Sequence, residues 1–171
     1  MTVQDIIDYA ANQLLKKAVA LADGVEWIND ALSALGVEAG LFDEQQLAAT
    51  PGLWKDLSAD FLKVYEVRDG KGYDYYNWEA DDSRIRFWDS DTYTVRYYKR
   101  PVDVVDGSSI PDCRVELHRA LSYYIAFRFW KRNFPGEKPT NDWFGEYRAR
   151  VSMAKSKQKK NTGIKVERGV R

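Results

Sequence analysis

The sequence predicts an α+β fold, with a helical core of about four helices, an inserted antiparallel β-meander and a basic C-terminal arm. Three observations predict it. Apolar residues recur at helical spacing over the first 35 positions. From Phe61 the pattern changes to short aromatic and β-branched runs separated by turn residues. After Pro111 helical patterning returns.

Thr2 is placed to cap a first helix, with Asp5 in the capping-box position three residues on. Val3, Ile6, Ile7, Ala10, Leu14, Ala18 and Leu21 form its stripe, and Asp23-Gly24 is the expected break. Asp23 with Glu26 offers a second capping box, followed by Trp27, Ile28, Ala31, Leu32 and Leu35. Gly36 suits the position after a helix, where a positive φ is cheap without a Cβ. The two helices are expected as an αα-hairpin. Gly36 to Gly52 reads as a polar connection with room for one short helical turn.

Four strands are expected at Phe61–Val67, Tyr73–Glu79, Ile85–Trp88 and Thr92–Lys99. Asp69-Gly70-Lys71-Gly72, Ala80-Asp81-Asp82-Ser83 and Asp89-Ser90-Asp91 supply the turns. Ile85/Phe87 and Tyr93/Val95/Tyr97 alternate with Arg84/Arg86 and Thr94/Arg96/Tyr98, so one face packs and the other is solvated. A third helix is expected from Ser109, with Pro111 in its first turn, to about Asn133. A fourth begins near Thr140 or Asn141 with the stripe Trp143, Phe144, Tyr147, Val151 and Ala154. The expected organisation is a helical core of 1–60 and 102–158, a sheet insertion of 61–101 and an arm of 159–171.

Six Trp, eleven Tyr and seven Phe make the chain rich in large packing surfaces. The single cysteine, Cys113, excludes an intrachain disulfide framework and a multi-cysteine zinc site. No stretch resembles a signal peptide, and no run of about 18 apolar residues could span a membrane. These features lead to the expectation of an aqueous intracellular or post-lytic setting. The net charge of zero conceals a gradient. Residues 1–60 carry three Lys/Arg against ten Asp/Glu, residues 61–119 ten against twelve, and residues 120–171 thirteen against four. Such segregation suits head-to-tail assembly.

No catalytic, cofactor or metal set is expected. His118, the single histidine, has only Glu116 and Asp112 nearby in sequence and reads as a packed or surface residue. Cys113 reads as structural. Asp81-Asp82 and Asp89/Asp91 lack calcium-loop spacing, and Gly70 and Gly72 fit no phosphate-binding motif. Two features could bind a partner. Trp78, Trp88, Tyr75, Tyr76 and Tyr98, interleaved with Arg84, Arg86 and Arg96, form either a stacking platform for bases or sugars or a packed sheet face with snorkelling arginines. The cations Lys155, Lys157, Lys159, Lys160, Lys165, Arg168 and Arg171 have three readings: phosphate neutralisation, a solvated helix end, or an arm docking onto an acidic neighbour. The third helix is apolar almost all round at Tyr123–Trp130 and is therefore expected to be buried on more than one side. Tyr123, Tyr124, Phe127, Phe129 and Trp130 are accordingly candidate subunit-interface residues.

Three stretches carry a family resemblance: Trp27-Ile28-Asn29-Asp30-Ala31-Leu32 after the first break, Asp56 to Val64 leading into the sheet, and Ile110-Pro111-Asp112 with Leu117 to Tyr124 opening the third helix. In this order the chain resembles the head–tail connector (adaptor, or head-completion) proteins of tailed double-stranded DNA bacteriophages. The resemblance implies a structural virion protein, without enzymatic activity or cofactor, found at the head–tail junction after assembly in the host cytoplasm. It implies a homo-oligomeric ring of about twelve copies beneath the portal, around the double-stranded DNA channel, with a surface for tail or stopper proteins. It also implies that the C-terminal segment reaches the portal. The shortest members have only a small hairpin where this chain has a longer sheet. A single-strand nucleic-acid binding module, using the aromatic sheet and basic arm, is the alternative reading. A hydrolase of the phage–cell boundary, centred on His118 or the aspartate clusters, is a further one.

Overall fold

Thr2 caps the first helix as its sequence predicts: Asp5 N donates to Thr2 Oγ1 (3.2 Å) and Thr2 N donates to Asp5 Oδ2 (2.8 Å). The computed structural model describes residues 1–161. Helix α1 is Val3–Tyr9 and continues as a π-helical turn over Ala10–Leu15. Lys16 ends it with a φ of 54°. The expected stripe through Ala18 and Leu21 is corrected here: the wider turn leaves the 3.6-residue repeat, so the helix stops before Ala18. Asp23-Gly24 is not the break, because both lie in the first turns of α2, Leu21–Leu35. Asp23 instead pairs with Arg132 (2.8 Å).

The chain divides into two units, one of 1–28, 104–111 and 115 onward, the other of 29–103 and 112–114. Helix α2 therefore passes from one unit to the other between Ile28 and Asn29.

In the helical unit, the expected start of the third helix at Ser109–Pro111 is replaced by a loop. Asp106 Oδ1 accepts from Ser108 N (2.8 Å) and Ser109 N (2.9 Å), which holds that loop in a turn. Its carbonyls then accept from the open start of α1: Val3 N donates to Ser109 O (2.8 Å) and Gln4 N to Gly107 O (2.9 Å). Helix α3 runs from Val115 to Asn133 and α4 from Lys138 to Asn161, with Pro139 in its first turn. The described part of this interior includes Ile6, Ile7, Ile28, Leu117, Leu121 and Ile125, all buried. Ser122 Oγ, also buried, donates to Ile6 O (3.2 Å), and Arg119 stacks on the Tyr9 ring.

In the sheet unit, Gly36, at φ 47°, begins a 3₁₀ turn over Gly36–Ala39, the short helical turn that the sequence had room for. Six strands follow: β1 Phe42–Ala48, β2 Trp54–Asp56, β3 Phe61–Arg68, β4 Trp78–Asp81, β5 Arg84–Phe87 and β6 Thr92–Lys99. They form two antiparallel three-stranded sheets, β1-β6-β3 and β2-β5-β4. Strands β3, β5 and β6 fall where predicted. The run Tyr73–Glu79 does not form a strand over its length. Asp74 bridges Arg68, and Tyr75 N donates to Val67 O (2.9 Å), so this stretch folds back on β3. Strands begin at Phe42, well ahead of the insertion expected from 61, because β1 pairs with β6 from Phe42↔Tyr98 to Ala48↔Thr92. Leu47, Val67, Tyr93 and Val95 from one sheet pack with Ile85 and Phe87 from the other, which makes a small sandwich with one core.

Candidate interaction surfaces

The apolar half of α3 faces two ways within the helical unit. Tyr123 is buried, its ring 5.9 Å from Trp143, and Arg150 lies over that ring at 4.1 Å while donating to its hydroxyl (2.8 Å). Tyr124 meets Tyr147 (5.1 Å), and Phe127 meets Phe144 (4.9 Å). These three residues therefore form an aromatic seam against α4. Trp130 stacks with Phe134 (4.6 Å), and Phe129 borders a groove with Trp27, Arg132 and Ala18–Ala20. Phe129 and Trp130 are half-buried.

The outer face of the β2-β5-β4 sheet is a cross-strand ladder. Trp54, Arg86 and Glu79 lie opposite one another in one row, and Asp56, Arg84 and Asp81 in the next. Arg86 is held between two indoles, 4.7 Å from both the Trp54 and Trp88 rings, and its Nε donates to Glu79 (2.9 Å). Arg84 pairs with Asp81 (3.2 Å). The aromatic–arginine platform expected from the sequence is thus assembled in part, but each of these two arginines is matched by a carboxylate. That arrangement is a packed face with snorkelling arginines, and phosphate would compete with Glu79 and Asp81 for it. Tyr98 and Arg96 belong to the other sheet, where Arg96 lies over Phe42 (4.9 Å) and Tyr98 packs on Phe42 (4.5 Å). Trp54 and Phe42 escaped the sequence reading. Each has a single apolar neighbour, Leu41 or Leu53, and is followed by charged residues, so neither sits in an apolar run.

His118 is buried, with the Met1 ammonium 3.4 Å from Nδ1. Cys113 precedes α3 rather than lying in its first turn, and burial pushes its thiol up to about 12, with Asp112 adding to the shift and Arg114 opposing it. No group of three or more His, Cys, Asp or Glu that could hold a metal occurs among the described residues. Among them, no helix is long and apolar enough to cross a membrane.

The charge gradient resolves by unit. Counted over the sequence, the segments of the sheet unit hold ten Lys/Arg against sixteen Asp/Glu, a balance of −6, and those of the helical unit sixteen against ten, a balance of +6. The acidic first third is therefore not one helical surface, since six of its ten carboxylates belong to the sheet unit. Of the predicted arm cations, Lys155 is exposed on α4, and Lys157, Lys159 and Lys160 fall on its last turns. Lys165, Arg168 and Arg171 lie outside the described residues.

Residues 1–167 match a family model described as SU10 adaptor protein. No curated protein matches the chain.

Proposed function

We propose that this chain, which belongs to the SU10 adaptor protein family, forms a ring at the head–tail junction, docked on the portal and continuing the DNA channel. Family membership makes it a structural adaptor of a phage particle, a partner of other head and tail proteins. The observation that carries the ring is the segregation of charge by unit, −6 on one and +6 on the other. Unlike surfaces on one chain favour a heterologous contact, in which each copy presents one sign to the next, and such contacts close into rings when the rotation permits. The aromatic end of α3 at Phe129 and Trp130 supplies apolar surface for that contact. The cations from Lys155 to Arg171 are directed to the portal, as the family resemblance implies, and tail or stopper proteins meet the opposite side.

The test is electron microscopy of the chain mixed with its portal, with light scattering of the chain alone. Rings seated on the portal, and loosened as salt screens the charge, are expected. A monomer that forms no ring on the portal at any salt concentration would overturn the reading.

A further inference from the structure

The sandwich has one end built only of loops: the β1–β2 connection at 49–53, the β3–β4 connection at 69–77 and the β5–β6 connection at 88–91. Hydrogen bonds tie the three together. Ala49 N donates to Asp91 O (2.8 Å), Gly70 N to Asp91 Oδ2 (3.2 Å), and Tyr75 Oη to Asp89 Oδ2 (2.6 Å). This end is therefore a fixed surface.

What it displays is unusual for a loop cluster. Tyr76 is 82% exposed, Tyr73 70%, Leu53 58% and Trp88 45%. The core residues of these segments are others, Ala49, Phe87 and Tyr93, which are buried. The same loops carry the carboxylates of Asp69, Asp74, Asp89 and Asp91 against one cation of their own, Lys71, with Arg68 and Arg86 flanking them at the ends of β3 and β5. Exposed aromatic rings ringed by negative charge recognise cations that carry a flat face, and guanidinium fits best. The molecule already shows this chemistry at the edge of the patch, where Trp88 holds Arg86 against Trp54.

From the patch and its charge we infer that this loop end is the docking surface for an arginine-bearing surface of a tail or stopper protein. The inference rests on the adaptor reading and adds the surface and the chemistry of the partner. Carboxylates at this density repel nucleic acid. The chain's own C-terminal cations, from Lys155 to Arg171, are assigned by that reading to the portal.

The test uses full-length chain in assembled particles, with the photo-reactive residue p-benzoylphenylalanine in place of Tyr76, and identifies the crosslinked peptide by mass spectrometry. The expected product is an arginine-containing peptide from a protein that is neither this chain nor the portal. In parallel, Tyr73→Ala, Tyr76→Ala and Asp74→Asn are combined, since these side chains are outside the core and the thermal transition should hold. Heads should then retain the adaptor while tailed particles fall by about tenfold or more. Crosslinks to residues 155–171 of another copy, to the portal or to DNA would overturn the inference, as would normal tail attachment by the combined variant. In either case the adaptor reading would stand, provided the ring is present on heads. Heads lacking the unmodified chain would overturn both.

Discussion

Gly24 and Ile7 meet where residue 24 has no room for a side chain: a Cβ built there would collide with Ile7 Cδ1 and Cγ1. Ile7 is 2% exposed, so its end cannot swing aside. The glycine therefore serves the approach of α2 to α1, although its neighbours read as a helix break. Gly24→Ala would gain about 1 kcal/mol of helix propensity but lose about 1–3 kcal/mol to overpacking. Net destabilisation is expected in urea unfolding, and Ile7→Val in the same chain should recover part of it. An unchanged or raised midpoint for Gly24→Ala alone would contradict the packing role.

How far the sequence exposes this fold depends on where each element gets its order. Thr92–Lys99 is legible because Tyr93, Val95 and Tyr97 alternate with partly exposed residues, a pattern intrinsic to the strand. Phe42–Ala48 is not, since Asp-Glu-Gln-Gln has no apolar alternation and becomes a strand by pairing with β6. The π-helical turn at Ala10–Leu15 is equally hidden, because its residues obey the ordinary helical spacing up to Leu14. At the candidate surfaces, the all-round apolar character of Tyr123–Trp130 was visible, but its cause was not. Ser122 meets α1 on one side, and the aromatic seam faces α4 on another. Composition records that a helix is enclosed and leaves open which neighbours enclose it.

The stack of Phe87 on Tyr93 should hold the sandwich together. The rings lie 4.2 Å apart and 7° from parallel, one from each sheet, and both are buried. Tyr93→Ala removes a large buried ring and should cost about 3–5 kcal/mol in urea unfolding. Tyr93→Phe keeps the stack and gives up the hydroxyl's hydrogen bonding, a long bond to Asp89 O (3.4 Å) and its contact with the Tyr75 side chain, so its loss should stay within about 0.5–1.5 kcal/mol. Equal losses for the two variants would show that the hydroxyl, and not the ring, is what matters.

Cys113 should resist thiol reagents while the chain is folded. Burial pushes its thiol up to about 12, so little thiolate exists near neutral pH. At pH 8, labelling should be slower than for a free thiol by roughly a hundredfold or more, and unfolding should abolish the difference. The raised value favours the neutral thiol in the folded state. Its contribution to stability is therefore complete below the ordinary thiol range, and is lost as pH rises through that range toward about 12. Thermal unfolding of Cys113→Ser should accordingly fall less steeply than wild type between pH 8 and 10.5. Parallel curves would remove the assignment.

The five aromatic candidates on α3 should separate into two classes. Tyr123, Tyr124 and Phe127 are engaged with α4 in the same chain, so replacing Tyr123 by Ala should lower stability by about 3–5 kcal/mol whether or not the chain assembles. Phe129 and Trp130 are half-buried like Tyr124 and Phe127, but they lie beside a groove and the helix end and not in the α4 seam, so they retain surface that a neighbour could cover. Trp130→Ser, alone or with Phe129→Ser, should leave the urea midpoint within about 1–2 kcal/mol of wild type while lowering the yield of rings on the portal by about tenfold. Urea unfolding and particle counts by electron microscopy read the two effects separately. Rings at wild-type yield from the double variant would confine these aromatics to the subunit's own packing, and the contact between copies would then have to rest on charge, where added salt alone should dissolve it.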